Sequence, residues 1–160
     1  MPQAVINKSA IVSEIVKQLG QQLENLAGVS RAMHADASDE QNKAEDQYDT
    51  RGLETAYLAS SQARQATATE EALAAYQTLK LTKFTGKTPI DLAALVELES
   101  RGEHIWYFLG PKGGGIEVKE VLVITPESPI GQQLIGKKTG ECFKLQTRGP
   151  AQEFKIVSVR

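Results

Sequence analysis

The sequence predicts an α+β chain: an N-terminal antiparallel coiled-coil helical hairpin, then a small antiparallel β-sheet domain with one short helix. Three observations predict it. Residues 9–80 hold no proline and no alternating strand pattern, and are rich in Ala, Gln, Glu and Leu. Residues 90–160 instead carry short β-branched runs punctuated by Gly and Pro. Between them, Lys83–Pro89 marks the change of character. The expected division is a hairpin over 1–80, a linker over 81–89 and a globular domain over 90–160.

In the first helix Val12, Val16, Leu19, Leu23, Leu26 and Met33 alternate at spacings of four and three, with Ser30 in the missing place. That is the heptad seam of a helix lying along another helix. Ile11 and Ile15 widen the stripe, and Asn7 or Ser9 can cap its start. Gly20 and Gly28 each lower helix propensity by about 1 kcal/mol relative to Ala, so packing must hold this helix together.

The chain is expected to turn within His34–Ser38, because Ser38 with Gln41 forms a capping box for a second helix reaching about Lys80. Tyr48, Ala56, Ala59, Ala63, Ala66 and Leu73 are its expected inward face. Each leg would be on the order of 45–60 Å long. A bundle of three or four shorter helices, broken at the glycines, is the competing arrangement. Only one strong turn signal between residues 9 and 80 favours the hairpin.

Asp36, Asp39, Glu40, Glu45, Asp46 and Asp49 crowd the predicted turn. Asp39 and Glu40 after Ser38 would meet the positive end of a helix dipole, worth about 0.3–1 kcal/mol each. That accounts for individual acids, not for the cluster, whose members repel one another. Clustered carboxylates suit a hard divalent cation such as Mg²⁺. They are too exposed to hold it alone, so a partner would supply the remaining ligands.

In the second half, residues 93–99 and 104–109 read as strands joined by a turn at 100–103. The glycine-rich stretch 110–115 invites a phosphate-loop reading, but the β-rich run Ile116–Ile124 follows where a helix should open. A short helix starts at Ser128, with Pro129 at its first position and Gly136 to stop it. Residues 142–146 and 153–159 alternate as two further strands. Trp106, Phe108, Val123, Leu134, Phe143 and Ile156 are the expected core. No catalytic arrangement stands out: Cys142 lacks a His or Asp partner by motif, and His104 reads as structural.

The net charge of −2 argues against binding nucleic acid mainly through its phosphates. Residues 1–80 carry seven Lys/Arg against eleven Asp/Glu, and 81–160 eleven against nine, which suggests two contact surfaces with unlike partners. One cysteine excludes an internal disulfide and a cysteine-rich zinc site. The start lacks a signal-peptide pattern and no run has the apolar length of a membrane span, so the expectation is a cytoplasmic protein without membrane contact.

The stretch Ser128-Pro129-Ile130-Gly131-Gln132-Gln133-Leu134-Ile135-Gly136-Lys137-Lys138-Thr139-Gly140-Glu141, with the closing Glu153–Val159, resembles the Gre transcript-cleavage factor family, GreA/GreB-like. The resemblance runs the length of the chain, more loosely in the first half, where it rests on the acidic turn, Ala44-Glu45 and Tyr48. It implies a globular domain of FKBP-like fold and an elongation factor whose partner is bacterial RNA polymerase. In that family the globular domain docks at the rim of the polymerase secondary channel, which makes Ser128, Pro129, Ile130 and Gly131 docking candidates. The hairpin passes down the channel, where tip acids help hold a second Mg²⁺ and position the water that cleaves backtracked RNA near its 3′ end. The corresponding acids here are Asp39, Glu40, Glu45 and Asp46, with Mg²⁺ shared with the polymerase and no metal held alone. The chain would be a monomeric accessory factor, not an enzyme, and DNA binding is a further implication.

The family tip reads Asp, two residues, Glu, Asn, Ala, Glu, Tyr. Matching Ala44-Glu45 puts Asp39 on the Asp, but Asn42 on the next acid and Asp46 on the Tyr. A channel-binding regulator or inhibitor without cleavage therefore stands beside the cleavage factor. The long arm separates the chain from short-armed nucleoside-diphosphate-kinase regulators, and the missing cysteine set from zinc-bearing channel factors. An FKBP-like prolyl isomerase would need an aromatic-lined pocket, and Trp106, Tyr107, Phe108, Phe143 and Phe154 are mostly needed by the core. A self-associating coiled-coil scaffold is the remaining alternative.

Overall fold

Two unbroken helices occupy the first half of the chain: α1 (Lys8–Ser38) and α2 (Arg51–Gln77). The computed structural model describes residues 6–38, 51–146 and 148–160. Asn7 caps α1 by accepting the Ser9 amide on its side-chain oxygen at 2.9 Å. The helix then runs through Gly20 and Gly28, which rules out breaks at those glycines. It also runs through His34–Ala37 to Ser38, where the sequence reading expects a turn. Ala32, Ala35 and Ala37, with no Pro or Gly among them, make this a strong helical stretch that a lone Ser38 does not interrupt. The rest of the proposed capping box, and the first turns expected of the second helix, lie outside the described residues.

The chain divides into two units. One comprises the chain up to Val16 together with Ala75–Arg160, and the other Lys17–Ala74. The centre of the α1 stripe falls on Ile11, Ile15 and Leu19, all buried, whereas Val12, Val16, Leu23 and Leu26 are half-buried. In α2 the expected alanine face is displaced. Ala56, Ala59 and Ala63 are exposed, Ala66 and Leu73 half-buried, and the buried positions are Thr69, Ala72 and Tyr76. Alanine offers too little apolar area for its spacing alone to decide which face turns inward. Thr69 can be buried because its hydroxyl donates to the Gln65 carbonyl at 2.8 Å.

The second half forms a six-stranded sheet from β1 (Leu95–Ser100), β2 (Glu103–Leu109), β3 (Glu117–Val118), β4 (Val121–Ile124), β5 (Cys142–Leu145) and β6 (Gln152–Val159). The strand order is β3-β4-β2-β1-β6-β5. A two-residue turn joins β1 to β2, with Arg101 and Gly102 both at positive φ (53° and 79°), the twist such hairpins require. The sheet is antiparallel except where β4 runs parallel to β2, Trp106 opposite Val121 and Leu109 opposite Ile124. The strand β3, antiparallel to β4, carries the chain back towards the starting end of β2, after the 110–115 loop has reversed its direction. That loop leads into β3, not a helix, as expected of a stretch that cradles no phosphate.

One face of the sheet carries the core cluster, including Val96, Leu98, Tyr107, Leu109, Leu134, Phe143, Phe154 and Ile156. Phe143 and Phe154 stack with ring centroids 5.3 Å apart. Burying side chains of this size contributes about 1.5–3 kcal/mol each. The other face is buried as well, at Leu95, Phe108, Val121 and Val123. Ile11, Ile15 and Tyr76 of the same unit are buried in their turn.

Two ties fasten the helix ends to this unit. The Tyr76 hydroxyl donates to the Lys112 carbonyl. It lies so close to Gly110 that a Cβ there would fall 2.0 Å from its oxygen, so only glycine fits. The Lys8 ammonium donates to the carbonyls of Thr82 and Ala93 and stands 5.0 Å from the centre of the Phe84 ring.

Of the six residues expected in the core, Phe108, Val123, Leu134, Phe143 and Ile156 are buried. Trp106 is only half-buried, with the Arg160 guanidinium 5.1 Å from its ring centre. It shares its sheet face with its neighbour Glu97 across the β1–β2 pair, so this end of the face is polar.

Candidate functional site

The stretch after β4 is shaped by local hydrogen bonds around Ser128. Its amide and hydroxyl both donate to the Thr125 carbonyl, at 3.0 and 2.7 Å. Its Oγ then accepts the Gly131 amide at 3.0 Å, capping the short helix α3 (Pro129–Leu134). Pro129 occupies the start, where an amide would find no helical partner. Gly136, at φ 83°, follows the helix as the stop expected from sequence. Gly131 is buried against the turn, Pro129 is exposed, and Ile130 packs its side chain on the core cluster. The four docking candidates thus form one rigid knuckle with an apolar residue at its edge.

That edge belongs to a cavity of about 290 Å³ beside α3, whose rim includes Arg101 and Arg148. Sequence reading missed both arginines. Each stands beside a glycine in a hairpin turn, an ordinary surface position, and nothing local says that the two turns meet.

A polar cluster on the opposite sheet face was also not foreseen. The buried Glu97 carboxylate accepts from Ser158 Oγ at 3.1 Å and lies 2.9 Å from His104 Nδ1. His104, expected from sequence to be structural, is half-exposed and lies against Glu97. Cys142 is a free, exposed thiol. Burial lowers the Lys8 ammonium below the ordinary lysine pKa, and raises the Tyr76 and Tyr107 phenols above the ordinary tyrosine value.

The predicted tip acids Asp39, Glu40, Glu45 and Asp46 lie outside the described residues. Past them, α2 opens with Leu53, Tyr57 and Leu58 exposed. Among the described residues no helix is long and apolar enough to cross a membrane.

Residues 90–160 match the family described as "Transcription elongation factor, GreA/GreB, C-term". Residues 90–160 carry the C-terminal region of the Gre-like factor family. Over 148 residues the chain is 26% identical to the transcription inhibitor protein Gfh1 of Thermus aquaticus, covering 91% of its own length and 89% of that protein. Transcription elongation factor GreA of Streptococcus suis is 33% identical over 63 residues, 39% of this chain and 38% of GreA. Among solved structures, Gfh1 of Thermus aquaticus aligns with a TM-score of 0.42 at 22% identity, covering 89% of this chain and 92% of that one. Gfh1 of Thermus thermophilus aligns with a TM-score of 0.40 at 22% identity, over 91% and 94% of the two chains.

Proposed function

We propose that this Gre-like chain binds RNA polymerase and restrains transcription, without stimulating transcript cleavage. One observation carries the choice. The similarity to a transcription inhibitor runs over 91% of the chain, helices included, whereas the similarity to GreA covers 39%. The tip sequence leans the same way, since Asn42 stands where the cleavage-factor pattern has an acid. In this reading the knuckle Ser128–Gly131 docks on the polymerase and the acids of residues 36–49 approach its active centre. There they compete for, or misplace, the Mg²⁺ that the polymerase needs. Bond-making and bond-breaking remain the polymerase's own, and this chain is an accessory. Direct DNA binding is left out, because a net charge of −2 offers no phosphate-binding excess.

The second reading, cleavage stimulation, draws on Asp39 matching the family's first tip acid and on the neighbouring Glu40. Polymerase pull-down, run-off transcription and a backtracked-complex assay separate the two. We expect polymerase capture, reduced run-off RNA, and no shortening of stalled RNA at any Mg²⁺ concentration. Shortening that disappears with Asp39→Ala and Glu40→Ala would establish the second reading in place of the first. Failure to capture polymerase would remove both.

A further inference from the structure

The cavity beside α3 is assembled from two turns of the chain, the strands β5 and β6, and α3 itself. Its floor is apolar, made by Ile130 of α3 with Leu145, Pro150 and Phe154. Its polar side is Arg101, Arg148 and Gln152. Arg101 sits in the tight β1–β2 turn at φ 53°, so the backbone fixes where its side chain departs. Gln152 is tied down: its amide donates to Ser100 Oγ at 2.8 Å, and that hydroxyl donates to the Glu153 carbonyl at 2.7 Å. Phe154 is held by its stack on Phe143. Among the described residues no carboxylate lines the cavity and neither arginine has an ion-pair partner. Two guanidinium groups around one hollow repel each other and leave a positive rim that folding does not require.

We propose that this cavity receives an acidic polypeptide segment of the polymerase, with an apolar side chain on the floor and a carboxylate held by Arg101 and Arg148. The inference rests on the polymerase-binding reading above and names the chemistry of the contact. Arginine's planar fork matches a carboxylate with two parallel hydrogen bonds. The volume of about 290 Å³ lies at the lower limit of small-molecule pockets, which suits one or two side chains better than a nucleotide. Ile130 belongs both to this floor and to the docking knuckle, so the two form one continuous face.

The test uses the full chain with Arg101→Gln and Arg148→Gln together, and measures binding of labelled protein to purified polymerase at low and high salt. We expect affinity at low salt to fall by about tenfold or more, with a flatter salt dependence. Both side chains are exposed, so thermal unfolding should be unchanged; Arg148→Glu alone provides a second variant that should weaken binding. If the wild type binds and both variants bind equally well, this inference fails and the polymerase reading stands. If the wild type does not bind polymerase, both fail. If the wild type binds a single-stranded RNA oligonucleotide and the double variant does not, the cavity is a nucleic-acid site and the inference is overturned.

Discussion

Gly131 lies so close to Thr125 that a Cβ in its place would fall 1.9 Å from the Thr125 carbonyl oxygen. The same carbonyl accepts the Ser128 amide and hydroxyl, so it cannot retreat without loosening the helix cap. Gly131→Ala should therefore destabilise the chain by about 1–3 kcal/mol, the range for overpacking a tight site. Thermal unfolding would show this as a lower midpoint. Polymerase binding should weaken beyond the stability loss, because the knuckle carrying Pro129 and Ile130 is displaced.

Tyr76→Phe removes the hydroxyl that donates to the Lys112 carbonyl. The expected loss is about 1–2 kcal/mol in urea unfolding. Burial raises the Tyr76 pKa, so the fold favours the protonated phenol. Its contribution is whole below the ordinary tyrosine value near 10 and declines at higher pH, where the unfolded chain ionises first. Stability measured across that alkaline range should fall less steeply in Tyr76→Phe than in the wild type.

Lys8→Met should cost about 1–2 kcal/mol, since two carbonyls lose a charged donor that is partly open to solvent. Amide hydrogen exchange should rise chiefly in residues 82–93, the segment that Lys8 clasps from α1. Uniform exchange across the unit would argue that the clasp is incidental.

The Glu97 and His104 contact is open to a double-mutant cycle. Glu97→Gln and His104→Ala, alone and together, should show a coupling of about 0.5–1 kcal/mol, because one partner is buried and the other half-exposed. Strict additivity would mean that Glu97 is held by Ser158 alone.

Much of the candidate site was legible without coordinates because its chemistry is local. Ser128, Pro129 and Gly136 act on backbone groups within one helical turn, so the cap, start and stop of α3 can be read from adjacent residues. The strands of the second half were legible for a similar reason, since alternation and turn residues lie side by side in the chain. The missed turn at residues 34–38 shows the limit of that approach: a serine with a suitable acceptor three residues later is outweighed by alanine-rich helix on its N-terminal side.

By itself the sequence determined a helical first half, a strand-rich second half and the capped knuckle between β4 and β5. Tertiary structure decided that β4 runs parallel to β2, that Thr69, Ala72 and Tyr76 are the buried positions of α2, and that Arg101 and Arg148 share one hollow. The physical reason is range. Propensity, capping and turn chemistry act between near neighbours, whereas strand order, burial and the meeting of two distant turns depend on which surfaces the folded chain brings together.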